Sequence, residues 1–482
     1  MNIISLSRIL AFWAAKQPDE TAIKHDHECI TWHGLEKTTN RLARAYASIG
    51  VKKNDFVTVA LPNGIEFFQA CYAIWKLGAT PQPVSAKLPV FERTQIIELA
   101  NPSLVLGTSP EDHPKFTTLE AGFLSDPLFG DDPLPEVTAR SYKAMTSGGS
   151  TGRPKLIVTT IPSEWDIDDD QFRFRQQGSV LIPGPLYHNG PFMWAMIAMF
   201  RGNQVTITTR FDAEQTLRIF QEEKIDTVYL VPTMMQRIWN LPTDMRTSYD
   251  VSSLRTLWHL AAPCPTWLKE AFINWLGANV ILELYGGTEG VGGTRITGEE
   301  WLEHKGSVGR PNETCEIIIL DKDGKQLPFG KVGEIYIRPK AGPGSTYRYI
   351  GAEAKSIQGG FESLGDLGYF DEDGYLYLSD RLTDMILSGG ANIYPAEVEA
   401  AIDSLKGVRS SAVIGLPDED LGNTVHAIVD IADEIVTEQE LLSHLAERLV
   451  RYKIPRSIEL VNEPLRDDAG KVRRNALREE RM

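Results

Sequence analysis

The sequence predicts an α/β protein: mostly parallel sheets covered on both faces, a small glycine-punctuated β region, then a separate α+β domain of about 100 residues. Three changes of rhythm carry this. Up to about residue 290, short apolar strands alternate with amphipathic helices. Between about 305 and 380, glycines and turn residues separate short strands, as in a small β-barrel or meander. From about 381 the order becomes helix, two strands, helix, strand and an irregular basic tail.

Residues 1–16 lack a basic leader, and Arg8 and Lys16 interrupt their apolar run, so an amphipathic first helix is expected rather than a signal peptide. Residues 56–61 form a strand, followed by a helix with Ile65, Phe68, Cys71, Tyr72 and Trp75 at helical spacing. Residues 166–170, nearly all aspartate, read as a solvated loop. Strand 204–208 leads to Asp212, the N-cap of a helix carrying Leu217, Ile219 and Phe220. Strand 227–231 stops at Pro232, and strand 256–260 passes through Pro263 and Pro265 to a helix near 267–275 and strand 280–284. Strands 317–320 and 334–337 are joined by the turn residues 321–324. Beyond 381, a helix covers 396–405 and strands cover 411–414 and 425–431. The capping box Thr437 and Glu440 opens a helix presenting Leu441, Leu445 and Leu449, and a strand lies around 458–461. Residues 381–384 are the connection, so the domains are 1–380 and 381–482.

The chain has 482 residues, 42% hydrophobic and 24% charged, enough for large cores. With 49 basic against 65 acidic residues the net charge is −16, which argues against a general nucleic-acid or anionic-membrane binder. A polyanionic ligand must therefore be met by local cations. Cys29, Cys71, Cys264 and Cys315 lie far apart, suggesting neither zinc site nor disulfide framework, and fit a reducing cytoplasm. No segment reaches the apolar length of a membrane-spanning helix.

Four segments carry chemistry. Thr146, Ser147, Gly148, Gly149, Ser150, Thr151, Gly152, Arg153, Pro154 and Lys155 combine glycines, hydroxyls and two cations. Glycines let backbone N–H groups turn inward as an anion nest, so this loop suits phosphate. It lacks the Walker pattern, and the residues after Pro154 read as a strand, not a helix. Tyr285, Gly286, Gly287, Thr288 and Glu289 leave a buried strand, where ligands gather in open α/β sheets. Tyr285 can stack on a base, Thr288 can donate to phosphate, and Glu289 can hold Mg2+. Asp366 between Gly365 and Gly368 suits two vicinal ribose hydroxyls, whereas residues 371–374 read as a plain turn. Lys471 follows Gly470 in the basic tail, where a lysine can enter a site as a compact charge.

Together these segments resemble the adenylate-forming superfamily of acyl-CoA synthetases, luciferases and peptide-synthetase adenylation domains, in the same order over nearly the whole chain. The subgroup it is most similar to is the bacterial fatty-acid, steroid-acid or bile-acid CoA ligases. The resemblance implies two doubly wound subdomains and a small β-barrel, with a hinged C-terminal domain. It implies an acyl-adenylate formed from a carboxylic acid and ATP with release of pyrophosphate, then acyl transfer to CoA. By that likeness residues 146–155 hold the β- and γ-phosphates, Thr288 the α-phosphate and Glu289 Mg2+. Tyr285 lies near adenine, Asp366 and Arg381 bind ribose, and Lys471 bridges carboxylate and α-phosphate. His188 matches a gate to the acyl pocket, and Ser388, Gly389 and Gly390 match a segment that swings toward a thiol tunnel.

The sequence departs from that pattern at Leu156, at Asp380 before Arg381, and at Thr383 in the hinge. Phe192, Met193, Trp194, Met196 and Met199 follow the gate and suit either an apolar pocket or packing on the sheet. No acidic or basic residue near 231–233 or 286–287 suits an amino-acid ammonium, which favours an apolar acid. The expected partners are this acid, ATP and CoA, with no nucleic acid and no integral membrane segment; a homodimer is compatible. A carrier-protein thiol in place of CoA, and a nucleotide-binding protein without turnover, are the alternatives.

Overall fold

The computed structural model describes residues 2–148, 154–431, 436–467 and 470–482. Six parallel strands run side by side in the order Thr21–His25, Gln204–Ile207, Ser179–Ile182, Thr227–Leu230, Thr256–His259 and Ile281–Gly286. A second parallel sheet holds Thr80–Pro83, Phe56–Val59, Leu104–Leu106 and Thr118–Leu119. Their near-continuous apolar sequences follow from burial on both faces.

Helices Leu6–Lys16, Trp32–Ile49, Ile65–Lys76 and Asn189–Phe200 contribute to one core shared by both sheets, where Trp75 meets Phe192 and Phe200 edge-on. Asp212 accepts from the backbone N–H of Gln215 as the N-cap of helix Ala213–Glu222. Pro232 both ends its strand and occupies the first turn of helix Pro232–Trp239, where its missing N–H costs nothing.

The expected barrel region is a meander joined to the first sheet. Gly293–Thr297 pairs antiparallel with Ile281–Gly286, and Ser307–Pro311, Leu376–Arg381, Glu362–Phe370, Gly333–Pro339 and Cys315–Leu320 follow. Its own core contains Val291, Val308, Ile335, Ile337 and Leu376. Alongside, Ala144–Gly148, Pro154–Thr159 and Tyr347–Ile350 form a three-stranded antiparallel sheet.

The C-terminal strands Val408–Asp418 and Gly422–Ile431 are antiparallel, and Ser457–Val461 joins parallel to the second. Helices Pro395–Asp403 and Glu438–Ala446 cover them over a core of Val398, Ile402, Val413, Leu441 and Leu445. The capping box at Thr437 and Glu440 is formed in both directions.

The acidic run is a loop with Asp168 and Asp170 exposed, as expected, but it is anchored at its start. Glu164–Asp166 is a strand paired with Ile3–Ser5, and Ile167 is buried in the main core. The buried Arg201 holds the carbonyl of Ile167, which fixes the segment in place.

Candidate active site

The C-terminal end of strand Ile281–Gly286 is the geometric centre of the site, because the parallel sheet gives way there to the meander. Such a switch leaves a crevice beside the strand ends. The strand runs further than the sequence suggests and ends on Tyr285 and Gly286, so Tyr285 is held by the sheet itself. Thr288 and Glu289 lie in the turn that follows, Thr288 half-buried and Glu289 buried.

Tyr285 donates its phenol hydrogen to Asp366 Oδ2 at 2.8 Å, and Arg381 Nε lies 3.3 Å from Asp366 Oδ1. Asp366 and Arg381 are register partners on adjacent strands of the meander, which places both side chains together. Burial raises the Asp366 carboxyl above its usual range, against the pull of Arg381 and the Tyr285 hydroxyl. The turn at 371–374 is structural: the Asp371 carboxylate accepts the N–H groups of Asp373 and Tyr375.

A second group joins the expected Lys155 and Glu289 to Tyr349, which the sequence reading did not single out. Lys155 Nζ donates to Tyr349 Oη at 2.9 Å, and that hydroxyl donates to Glu289 Oε1 at 2.5 Å. Lys155 Nζ lies 3.5 Å from the same carboxylate oxygen and 4.0 Å from the Tyr349 ring centre. Tyr349 is in strand Tyr347–Ile350, which pairs with Pro154–Thr159, so tertiary pairing alone brings it here. The one local signal is the alternation of Tyr347 and Tyr349 in a short strand.

Thr146 lies within strand Ala144–Gly148, and its hydroxyl accepts from Gln82 Nε2 at 2.8 Å. Ser147 and Gly148 finish that strand opposite Lys155 and Pro154. Gly149, Ser150, Thr151 and Gly152 lie outside the described residues.

His188 is the extended N-cap of helix Asn189–Phe200, with its ring 4.3 Å from that of Tyr187. Of the apolar residues that follow, Phe192, Trp194, Met196 and Met199 are buried in the main core. Phe192 and Trp194 are enclosed by Phe67, Trp75, Phe172, Tyr229 and Trp258. Packing on the sheet therefore accounts for these four. Met193 is only partly buried, with its sulfur 2.9 Å from Tyr142 Oη.

Lys471 is carried in from the C-terminal tail. Gly470 has φ +77°, and a Cβ there would stand 2.8 Å from Thr233 Oγ1, so the tail lies directly against the start of helix Pro232–Trp239. The Lys471 backbone N–H donates to Asp467 Oδ1 at 2.9 Å. Its side chain keeps exposed surface, yet crowding lowers the ammonium pKa. Asp467 and Glu289 oppose that shift and Arg381 adds to it, so Lys471 feels both of the groups described above.

Ser388, Gly389 and Gly390 are not drawn to this cluster. They form the turn between Ile386–Ser388 and Ala391–Ile393, with both glycines at positive φ. The hairpin is tied within the C-terminal region, through Gly389 N–H to the Leu421 carbonyl and Asn423 Nδ2 to the Leu387 carbonyl.

The profile of the family described as AMP-binding enzyme matches residues 10–349, and that of the AMP-binding enzyme C-terminal domain matches 397–471. Feruloyl-CoA synthase of an Amycolatopsis species is 31% identical, covering 96% of each chain. Long-chain-fatty-acid–CoA ligase FadD13 of Mycobacterium tuberculosis is 30% identical over 94% of this chain and 93% of its own. The o-succinylbenzoate CoA synthetase (MenE) of Bacillus subtilis, solved with its acyl-adenylate intermediate, is similar at a TM-score of 0.82. It has 25% identity, covering 99% of this chain and 98% of that one. The chain thus belongs to the AMP-binding enzyme family, as an ATP-dependent acid–CoA ligase working through an acyl-adenylate.

Proposed function

We propose that this enzyme activates an apolar carboxylic acid, fatty-acid-like or steroid- or bile-acid-like, and passes the acyl group to CoA. The observation that carries this is the convergence of Lys471, Glu289 and Arg381 from the tail, the sheet-end turn and the meander. A cation from the C-terminal tail, within the fields of both Glu289 and Arg381, suits alignment of a carboxylate on an α-phosphate. Two relatives are named for ferulate and for long-chain fatty acids, both carboxylates on largely apolar bodies. We also place the domain boundary after residue 380, at the end of strand Leu376–Arg381.

A carboxylate is a poor acyl donor because its leaving group would be oxide. Attack of its oxygen on the α-phosphorus expels pyrophosphate and leaves a mixed anhydride. The CoA thiol then attacks the acyl carbon, and AMP leaves as a stable anion. Catalysis of the first step is mainly alignment and charge stabilisation. In this assignment Thr146, Ser147 and Gly148, the loop after them and Lys155 hold the β- and γ-phosphates. Thr288 donates to the α-phosphate, Asp366 and Arg381 take the ribose, and Tyr285 borders the adenine. Lys471 bridges the carboxylate and α-phosphate oxygens. His188 stands at the acyl entrance, while Ser388, Gly389 and Gly390 serve the thiol half-reaction after the C-terminal domain turns.

Glu289 fits Mg2+. It is a buried carboxylate with no cluster of further acidic, histidine or cysteine ligands around it among the described residues. That matches an ion that takes one or two protein carboxylates and completes its shell with phosphate oxygens and water. When bound, Mg2+ supplies charge that offsets the polyphosphate. MenE has been solved with ATP and magnesium.

No helix of the described residues is long and apolar enough to cross a membrane. We place the enzyme in the cytoplasm, where ATP and CoA are at hand. The test is pyrophosphate release across fatty, steroid, bile and aromatic acids, with and without CoA. Acid-dependent release with acyl-CoA as product is expected. Release without CoA acylation would turn the assignment toward a carrier-protein acceptor, and no release with any apolar acid would overturn it.

A further inference from the structure

A further lysine, this one buried, stands just before the strand that leads to residues 146–148. Lys143 immediately precedes strand Ala144–Gly148 and is only 6% exposed. Its ammonium donates to the side-chain oxygen of Asn189, the first residue of the helix behind His188. No carboxylate among the described residues stands within ion-pair distance of it. Glu289 is the acidic group whose field reaches it, and burial pulls its pKa down to about 7.

A dry ammonium held by a neutral amide is an expensive arrangement, because a buried charge normally needs an opposite one. The helix behind His188 makes no side-chain cap hydrogen bond, and its first residue is the Asn189 that holds this ammonium, so the positive helix end lies at Lys143. Both features are satisfied by an anion arriving beside Lys143 and Asn189. Lys155 and residues 146–148 are assigned to the polyphosphate. The other anion of the reaction is the acid's carboxylate, which enters past His188.

We infer that Lys143 is a further substrate-binding residue: its ammonium receives the carboxylate of the incoming acid beside Asn189 and holds it for attack on ATP. This rests on the acid–CoA ligase assignment. The carboxylate supplies the opposite charge that no carboxylate among the described residues brings within ion-pair distance of Lys143. Asn189 orients the ammonium in the empty site and shares it once the acid is bound.

The test is acid-dependent ATP–pyrophosphate exchange with Lys143→Met. Loss of one charged hydrogen bond in a dry site should raise the KM for the acid about 10- to 100-fold. The KM for ATP should stay within about twofold, and the half-reaction from preformed acyl-adenylate and CoA, which has no free carboxylate, within about threefold. An unchanged acid KM overturns the inference. So does a rise in the KM for ATP instead, which would make Lys143 a phosphate ligand, or equal loss in both half-reactions, which would make it structural. If Lys143→Met does not fold, Lys143→Gln keeps a donor to Asn189 without charge, and the same split decides. A wild-type enzyme inactive with every acid would end the functional assignment itself, whereas an active wild type with an insensitive variant ends only the role of Lys143.

Discussion

Tyr349 stands between two opposite charges, Lys155 and Glu289, and its hydroxyl is bonded to both. Burial and the Glu289 carboxylate hold the phenol well above its usual range, so it stays a donor throughout the working pH. Tyr349→Phe leaves the ring over Lys155 but removes the one hydroxyl among the described residues that joins the pair. Adenylation should fall about tenfold, the worth of one charge-assisted hydrogen bond. An unchanged rate of pyrophosphate exchange would reduce Tyr349 to packing. Lys471→Ala removes the cation proposed for the α-phosphate and should slow adenylation about 100- to 1,000-fold. The thioester half-reaction from preformed acyl-adenylate should be largely spared, and parallel loss of both would refute the assignment. Lys471 was singled out through the order of the motifs, since its glycine-flanked place in a basic tail suits a surface lysine equally well. Tyr349 was not, because its partners are far away in sequence and meet only when two strands pair.

At the scale of the element, the tail loop 470–471 shows how a turn delivers a side chain. Gly470 combines positive φ with a contact that leaves no room for a Cβ against Thr233. Gly470→Ala therefore meets both backbone strain and a clash, and the loop must shift. The shift withdraws Lys471 from the cleft while changing nothing in the meander or the parallel sheet. Adenylation should drop at least about tenfold with the thermal midpoint of unfolding nearly unchanged. Equal activity of the variant would mean that the loop position is not what places the lysine. The helix behind His188 gives the opposite lesson. Its apolar residues suggested pocket and packing together, and the fold spends four of the five on packing.

Over the whole molecule, the two regions are held in one orientation by a few polar contacts around the hinge. Asp380 accepts the Ala396 N–H at the start of helix Pro395–Asp403. Gln236 reaches the Asp403 carbonyl across the boundary, and within the C-terminal region Arg474 bridges Asp384 and Glu399. Asp403 lies buried at this junction, bonded to Ser411 Oγ at 2.6 Å, and burial pushes its carboxyl up to about 7 from 3.8. A folded pKa above the unfolded one means that the native state binds the extra proton, so stability is lost as pH rises from about 4 to about 7. Asp403→Asn removes that titration. Its thermal midpoint relative to wild type should be higher at about pH 8 than at about pH 5. Equal differences at the two pH values would show that this carboxyl does not govern the junction.

The sequence by itself determined the α/β rhythm, the order of the motifs, the capping box at Thr437 and the residue types needed for a polyanionic ligand. These are local or periodic properties: hydrophobic spacing, turn chemistry and glycine clusters are written within a few residues of one another. Only the tertiary structure decided which motifs meet. It joined the meander to the parallel sheet at Ile281–Gly286, and set Asp366 beside Arg381 by strand register. It also brought Tyr349 between Lys155 and Glu289, and buried Lys143 against Asn189. The physical reason is that pairing register and burial are properties of contacts between distant segments. A lysine three residues before a phosphate loop looks like any other until the fold removes its water.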